Sequence, residues 1–335
     1  MIQEKKSPKK SSLSKKISSV IFAIILLLIL LAVWFIQSFQ PVDSNDQTTS
    51  TFIIPKGQSI SYIGQRLAEA KLIRSPLAFR YLAYKDQLQG KIQAGSFKLS
   101  AGMSTWEIAQ ILTKGTDDVW ITLPEGWRRE EIAASLAKQD LIAFNEAEFL
   151  ELTKGLEGQL FPDTYLVSKA ISTQAIVSLL THTFESKVLN NLTTELAQAD
   201  LTLNQVLTLA SLVQRESAHE AEMPLVAGIL SNRLAIDMAL QVDASLQYVT
   251  GFDELEQSWW ASPTAADKEL NSAYNTYQHP GLPPAPICNP GSAAIQAALN
   301  PQATTALYYL HDLSGQIHTA RTLQEHNANI SQYLR

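Results

Sequence analysis

Seventeen consecutive uncharged and almost wholly apolar residues, Val20–Ile36, limit this chain more than any other stretch. As a helix, a run of this length sits at the short end of what crosses a bilayer. Six lysines (Lys5, Lys6, Lys9, Lys10, Lys15 and Lys16) precede it against a single Glu, and no basic residue follows closely. The bias of positive charge toward the cytoplasm then places the N-terminus inside and everything after Ile36 outside. Trp34 suits an interfacial anchor. A cleaved secretory signal is the rival reading. The run is longer than a usual signal core, however, and Gln37–Gln40 offers no small-residue cleavage site. The expectation is therefore an uncleaved anchor: a basic cytoplasmic tail at 1–19, a transmembrane helix at 20–36 and a linker at 37–50. Residues 41–50, PVDSNDQTTS, read as a flexible linker that spans about 20 Å on average and keeps the remainder near the membrane.

The 335 residues suffice for two domains with sizeable cores. The whole chain carries a net charge of −6 although its first 36 residues are strongly basic. The acidic remainder argues against a nucleic-acid binder, which needs a basic patch. One cysteine, Cys288, rules out an intrachain disulfide.

One pattern recurs three times. Ile54-Pro55-Lys56-Gly57 leads to Ile63 and Leu67, Leu99-Ser100-Ala101-Gly102 to Ile108 and Leu112, and Leu123-Pro124-Glu125-Gly126 to Ile132 and Leu136. Each reads as a strand, a tight glycine turn and a helix with one apolar face. The copies are unequally spaced, so no solenoid is expected. A small α+β module over 51–122 follows, with the third copy opening a larger domain over 123–335. The first copy is similar to a LysM module, a small fold that binds N-acetylglucosamine-containing glycans; generic support is the alternative.

Further along, helical patterns cover 128–138, 146–154, 173–197, 223–234 and 291–299. A hairpin is expected over 305–319, around Asp312–Gly315, and a last helix over 323–334. Leu156–Ser168 reads as a buried loop. Leu240–Tyr248 reads as a polar, turn-rich segment. Tyr274–Gly291, YNTYQHPGLPPAPICNPG, holds five Pro and two Gly in eighteen residues and can form neither a regular helix nor a central strand. A stiff loop of that length inside a compact domain is usually functional. Asn275 and Tyr277 present amide and phenol groups on it that suit sugar hydroxyls and N-acetyl groups.

The apolar helix pattern of Leu201–Ser217 carries one carboxylate where an apolar residue belongs. Glu216 continues the stripe of Leu209, Leu212 and Val213. On such a face a carboxylate loses hydration and its pKa rises, as a general acid requires near neutral pH. Taken by itself, the stretch favours a structural Glu that leans to water or pairs with an Arg. Other chemistries fail. His219-Glu220 is followed at the zincin spacing by Met223, no G-x-S-x-G elbow is present, and Cys288 has no His partner in sequence. There is no P-loop and no dinucleotide fingerprint, and no metal or cofactor is called for.

Taken together, these residues resemble the YceG-like family of endolytic murein transglycosylases. The resemblance rests on LPEGW at 123–127, LEGQLFPDTY at 156–165, ASLVQRES at 210–217, LQVDASLQY at 240–248, YNTY…GLPPAPICNPG at 274–291, and His318 followed by EHN at 325–327. It implies an α+β chain with a transmembrane helix, a LysM-like module and a mixed α/β catalytic domain. It makes Glu216 the catalytic residue. Gln214 stands where many members have Glu, Ala244-Ser245 where they have Pro-Thr, and Ala320 in place of an aromatic. The implied reaction cleaves the β-1,4 bond from N-acetylmuramic acid to N-acetylglucosamine with one carboxylate and closes a 1,6-anhydro ring. Gln241, Asp243, Asn275, Tyr277 and Glu157 become candidates for substrate binding, with Gly281, Pro283, Pro284, Asn289 and Gly291 shaping the loop. Peptidoglycan strands are the implied substrate and peptidoglycan synthases (penicillin-binding proteins) the implied partners, at the outer side of the bacterial cytoplasmic membrane. A non-catalytic, membrane-anchored glycan-binding scaffold for such synthases is the rival from another class.

Overall fold

The computed structural model describes residues 11–55, 57–116 and 118–334, with side chains from residue 20 onward. Most of the expected basic tail therefore lies outside the described residues: Lys5, Lys6, Lys9 and Lys10 entirely, Lys15 and Lys16 by their side chains. Two compact units divide between Val119 and Trp120.

The first unit begins with α1 (Ser11–Gln37). It starts nine residues before the apolar run because no Gly or Pro interrupts 11–19. Its large apolar side chains from Val20 to Ile36 are 39–69% exposed, with only the Phe35 end meeting aromatic rings of the module among the described residues. A small module follows: β1 (Ser50–Ile54), α2 (Ile60–Glu69), α3 (Pro76–Lys85), β2 (Gly95–Leu99) and α4 (Thr105–Lys114). The strands pair antiparallel with Phe52 opposite Phe97. Alternation turns Phe52, Ile54, Phe97 and Leu99 to the inside, against Ile63 and Leu67 of α2, Phe79 and Leu82 of α3, and Ile108 and Leu112 of α4. Ser59, Ser75 and Ser104 each cap the helix they precede. The first two copies of the repeated pattern thus form strand, turn and helix as read, but their glycines serve differently. Gly57 takes φ +81, whereas Gly102 is required because a Cβ there would lie 2.1 Å from the Asp46 carbonyl.

The linker differs from expectation. Residues 38–50 are tied to the module rather than free. Arg74 donates to the carbonyls of Pro41 and Val42 at 2.8 and 3.2 Å. Ser100 Oγ donates to Asp46 O at 2.7 Å, and Asp43 N to Ala101 O at 3.1 Å. Thr105 N donates to Phe39 O at 3.0 Å. Composition shows that a segment builds no core of its own; it does not show whether neighbouring groups hold its backbone.

The boundary falls inside β3 (Asp118–Thr122), and the second unit continues through α5 (Arg129–Ala137), α6 (Glu146–Leu152), β4 (Thr164–Ser168), α7 (Thr173–Phe184), α8 (Thr193–Gln198), α9 (Leu203–Glu216), α10 (Met223–Ala235), α11 (Asp243–Thr250), α12 (Ser292–Leu299), β5 (Tyr308–His311), β6 (Ile317–Ala320) and α13 (Leu323–Tyr333). β3 pairs with β4, and β5 with β6 as an antiparallel hairpin. The third copy of the pattern is β3, Gly126 at φ +78, and α5 with Ile132 and Leu136 buried. Helix α9 is the centre of the core. Residues Val206–Val213 are all buried, against Val226 and Leu230 of α10 and Ala294 and Ile295 of α12.

Two local expectations are corrected. The helix expected over 173–197 breaks after Phe184 into a wide π-turn, Glu185–Leu189, before α8. Phe184, Val188 and Leu192 stay buried through the break, and the weak helix formers Asn190 and Asn191 follow the turn. The segment 240–248 is not all turn. Gln241 takes a left-handed φ of +52 and then α11 begins, with Ser245 Oγ donating to Val242 O at 2.7 Å.

Leu212 is fully buried at the middle of α9. Leu212→Ala leaves a cavity and should cost about 2–5 kcal/mol in the unfolding transition of this unit, measured by denaturant titration.

Candidate active site

The loop 274–291 carries no regular element, yet much of it is buried, with Asn275, Thr276, Ile287, Cys288 and Asn289 at 0–1% exposure. Buried irregular backbone needs a partner for each polar group. Ser211 Oγ on α9 accepts from Ile287 N at 3.0 Å, Thr276 O accepts from Gln241 N at 3.0 Å, and Thr276 Oγ1 accepts from Val242 N at 2.9 Å. Asn289 does the most. Its Oδ1 accepts from Gly158 N and Leu160 N at 2.8 and 2.9 Å. Its Nδ2 donates to Trp127 O at 3.0 Å and to Glu157 Oε1 at 2.7 Å. One amide therefore joins 123–127, 156–165 and 288–291.

Glu216 closes the C-terminal end of α9 and lines a cavity of about 360 Å³ with Arg233, Gln241, Asp243, Tyr277, Tyr308, Tyr309 and His326. Its neighbour Arg215 points elsewhere, with its guanidinium 3.8 Å from the centre of the Trp260 ring. That stacking fixes the helix end with Glu216 toward the cavity. Tyr309 Oη donates to Glu216 Oε2 at 2.5 Å, and Oε1 has no protein partner among the described residues. Burial pushes the Glu216 carboxyl above its ordinary pKa, and the Asp243 charge adds to this. The Tyr309 hydrogen bond, His311 and Arg233 pull the other way without reversing the sum. Burial also holds the Tyr309 hydroxyl well above its usual pKa, so it stays a donor.

Across the cavity Tyr277 Oη donates to Asp243 Oδ1 at 2.5 Å. Arg233 is buried and fixed by two backbone carbonyls, Leu307 O at 2.6 Å and Leu240 O at 2.5 Å. His326 stacks on Tyr308 at 5.3 Å, its Nδ1 has no partner among the described residues, and burial lowers its pKa, which favours the neutral ring. The cavity thus combines an acid poised to hold a proton, a second carboxylate, a fixed cation and several hydroxyls.

Of the residues singled out from sequence, Glu216, Gln241, Asp243 and Tyr277 meet here. Asn275 and Glu157 do not line the cavity. Asn275 donates to the carbonyls of Lys268 and Leu270 at 3.0 and 2.8 Å and accepts from Tyr277 N at 3.0 Å, so its amide holds the loop that carries Tyr277. Glu157 borders a separate cavity of about 180 Å³ and accepts from Arg129 N at 3.1 Å as well as from Asn289. His318 stacks on Tyr333 and bonds Asp312, within the hairpin and α13. Cys288 is fully buried, and burial pushes its thiol well up. The sequence reading missed Arg233, Tyr308 and Tyr309, and took His326 only as part of a motif. Arg233 was findable by the kind of signal that found Glu216, a charge set among the apolar residues of a helix.

Burial, with Glu130 nearby, pushes Glu157 up to about 8. The folded state then binds more protons than the unfolded one between the ordinary Glu value and about 8, so this group's contribution to stability is lost as pH rises through that window. Glu157→Gln keeps the acceptor oxygen and removes the ionisation. Its melting temperature relative to the parent should therefore rise from pH 5 to pH 9, read by thermal melts across that range.

A model of the YceG-like family matches residues 52–332. Endolytic murein transglycosylases from two Streptococcus pneumoniae strains are each 29% identical over 342 residues, covering 90% of this chain. The chain spans 61% of the length of those pneumococcal relatives. An endolytic murein transglycosylase of Bacillus subtilis is 31% identical over 323 residues, covering 88% of each chain. The crystal structure of a yceG-like protein from Listeria monocytogenes aligns with a TM-score of 0.55 at 27% identity, over 84% of this chain and 98% of that one.

Proposed function

Since the chain belongs to the YceG-like family, we propose that it is a membrane-anchored endolytic transglycosylase of peptidoglycan with Glu216 as its catalytic residue. The observation that carries this reading is the Glu216 carboxyl, half-buried at the cavity wall, raised above its ordinary pKa and held through one oxygen by Tyr309. In the proposed reaction protonated Glu216 donates to the oxygen linking N-acetylmuramic acid C1 to the next sugar, and that bond breaks. The ionised carboxylate then takes the proton of the C6 hydroxyl of the same muramic residue. The C6 oxygen bonds to C1 and closes a 1,6-anhydro ring. Glu216 ends as it began, and no water is consumed. A nucleophile within the substrate gains proximity worth about 7–11 kcal/mol in favourable geometry.

The remaining residues take supporting roles in this proposal. Asp243, oriented by Tyr277, offsets positive charge developing near C1. Gln241 presents an exposed amide at the rim for an N-acetyl group. Asn275 and Glu157 act at one remove, by holding the loops. Residues 51–122 serve as a LysM-like module. The proposed limits are a basic tail at 1–19, the anchor at 20–36, a connecting segment at 37–50, the module at 51–122 and the catalytic domain at 123–335, with the anchor crossing the cytoplasmic membrane once, N-terminus inside. Cleavage of nascent strands beside peptidoglycan synthases would end glycan elongation there.

Glu216→Gln should lower cleavage by about 10²–10⁴-fold, the usual contribution of a general acid, while the protein stays folded. Mass spectrometry of products from un-crosslinked glycan reads the outcome. Anhydro-muramyl ends that disappear in the variant support the assignment. Reducing ends point to hydrolysis with Asp243 as second carboxylate, and binding without cleavage points to a scaffold. Tyr309→Phe removes a hydrogen bond that favours ionised Glu216, so the alkaline limb of kcat/KM should move to higher pH.

A further inference from the structure

Helix α3 packs Ala78, Phe79, Leu82 and Ala83 into the module and leaves a second stripe uncovered. Leu77, Tyr81 and Tyr84 are 59%, 47% and 73% exposed, at the i, i+4 and i+7 positions of one face. Arg80 and Lys85 share that face and have no carboxylate partner among the described residues. An uncovered face of aromatic, aliphatic and basic side chains has the make-up of a helix lying in a membrane interface.

The position of this face says what covers it. The Tyr81 ring stands 5.3 Å from Phe35 and 6.3 Å from Phe39, edge on, and Phe35 stands 5.0 Å from Phe39. Phe35 is in the last turn of α1, beside the exposed Trp34. The middle of the α3 face therefore meets the anchor where apolar side chains give way to polar ones, at Gln37–Ser38. Leu77 and Tyr84 lie one helical turn to either side of Tyr81. The hydrogen bonds from Arg74 and Thr105 to residues 39–42 fix that placement.

We propose that the exposed face of α3 rests in the headgroup layer of the bilayer that α1 crosses, as a second membrane contact of this chain. The proposal rests on the reading of α1 as a membrane span. Tyr81 and Tyr84 place their rings at the headgroup level with hydroxyls toward water, Leu77 reaches toward the acyl boundary, and Arg80 and Lys85 meet anionic lipid phosphates. A groove of about 730 Å³ beside this face, which includes Gln58, Ser61 and Gln89, opens along the same surface and is large enough for lipid headgroups.

The test uses the full chain in vesicles of phosphatidylcholine and phosphatidylglycerol. A bimane fluorophore is placed at Tyr84→Cys, at Leu28→Cys within α1, or at Lys98→Cys on the exposed face of β2. Cys288 is buried and does not compete for label. A nitroxide on the lipid headgroup should quench the label at 84 severalfold more than the label at 98, and more weakly when phosphatidylglycerol is left out. A nitroxide deep in the acyl chains should quench the label at 28. Equal headgroup quenching at 84 and 98, with 28 quenched from the core, overturns the proposal and leaves the anchor standing. No core quenching at 28 removes the anchor reading and the proposal with it. Response of the label at 84 to N-acetylglucosamine oligomers, and not to the headgroup nitroxide, makes the face a glycan site and overturns the membrane contact.

Discussion

A buried loop that is neither helix nor strand must find every hydrogen-bond partner individually, and the second unit is arranged around that demand. The run 274–291 is stiffened by five prolines, which cannot donate, and it passes through the core beside α9. Ser211 answers one amide, Thr276 presents its carbonyl and hydroxyl to the 241–242 backbone, and Asn289 ties two other segments to its own. The loop holds Tyr277 over Asp243 only because these partners hold the loop. Glu157 belongs to the same frame: its acceptor oxygen completes the Asn289 set, and burying it there raises its pKa.

The same logic explains Glu216. A carboxylate at a helix C-terminus faces the negative end of the helix dipole and, here, little water. Folding tolerates it because the neutral form is favoured and Tyr309 satisfies one oxygen. Arg233 is the mirror case, a buried cation balanced by two backbone carbonyls rather than by a carboxylate in contact. The two groups approach the cavity from α9 and α10 without a direct hydrogen bond to each other among the described residues, so both remain available to a ligand.

Much of this was legible from spacing. Three strand-turn-helix copies, the α9 stripe and the hairpin around Asp312–Gly315 were readable because each is a local periodicity or a turn preference. What was not legible came from long-range pairing. Residues 41–50 look like a free linker until Arg74 and Ser100 take up their carbonyls. Asn275 looks like a sugar ligand until its amide meets Lys268 O and Leu270 O. Tyr309 lies 93 positions from Glu216, and nothing local to either residue announces the bond.

The residue after Asn289 has a consequence for the ageing of the protein. Asparagine side chains deamidate when the next backbone nitrogen loses its proton and attacks the side-chain carbonyl to form a cyclic imide. Pro290 has no backbone N–H. The amide that joins three loops is thus closed to the commonest spontaneous route by which an asparagine becomes an aspartate. A carboxylate at that position would face Glu157 at hydrogen-bond distance and the Trp127 carbonyl, with no donor to offer either. The chain places its most heavily used amide at a position where its chemical lifetime is extended by its neighbour.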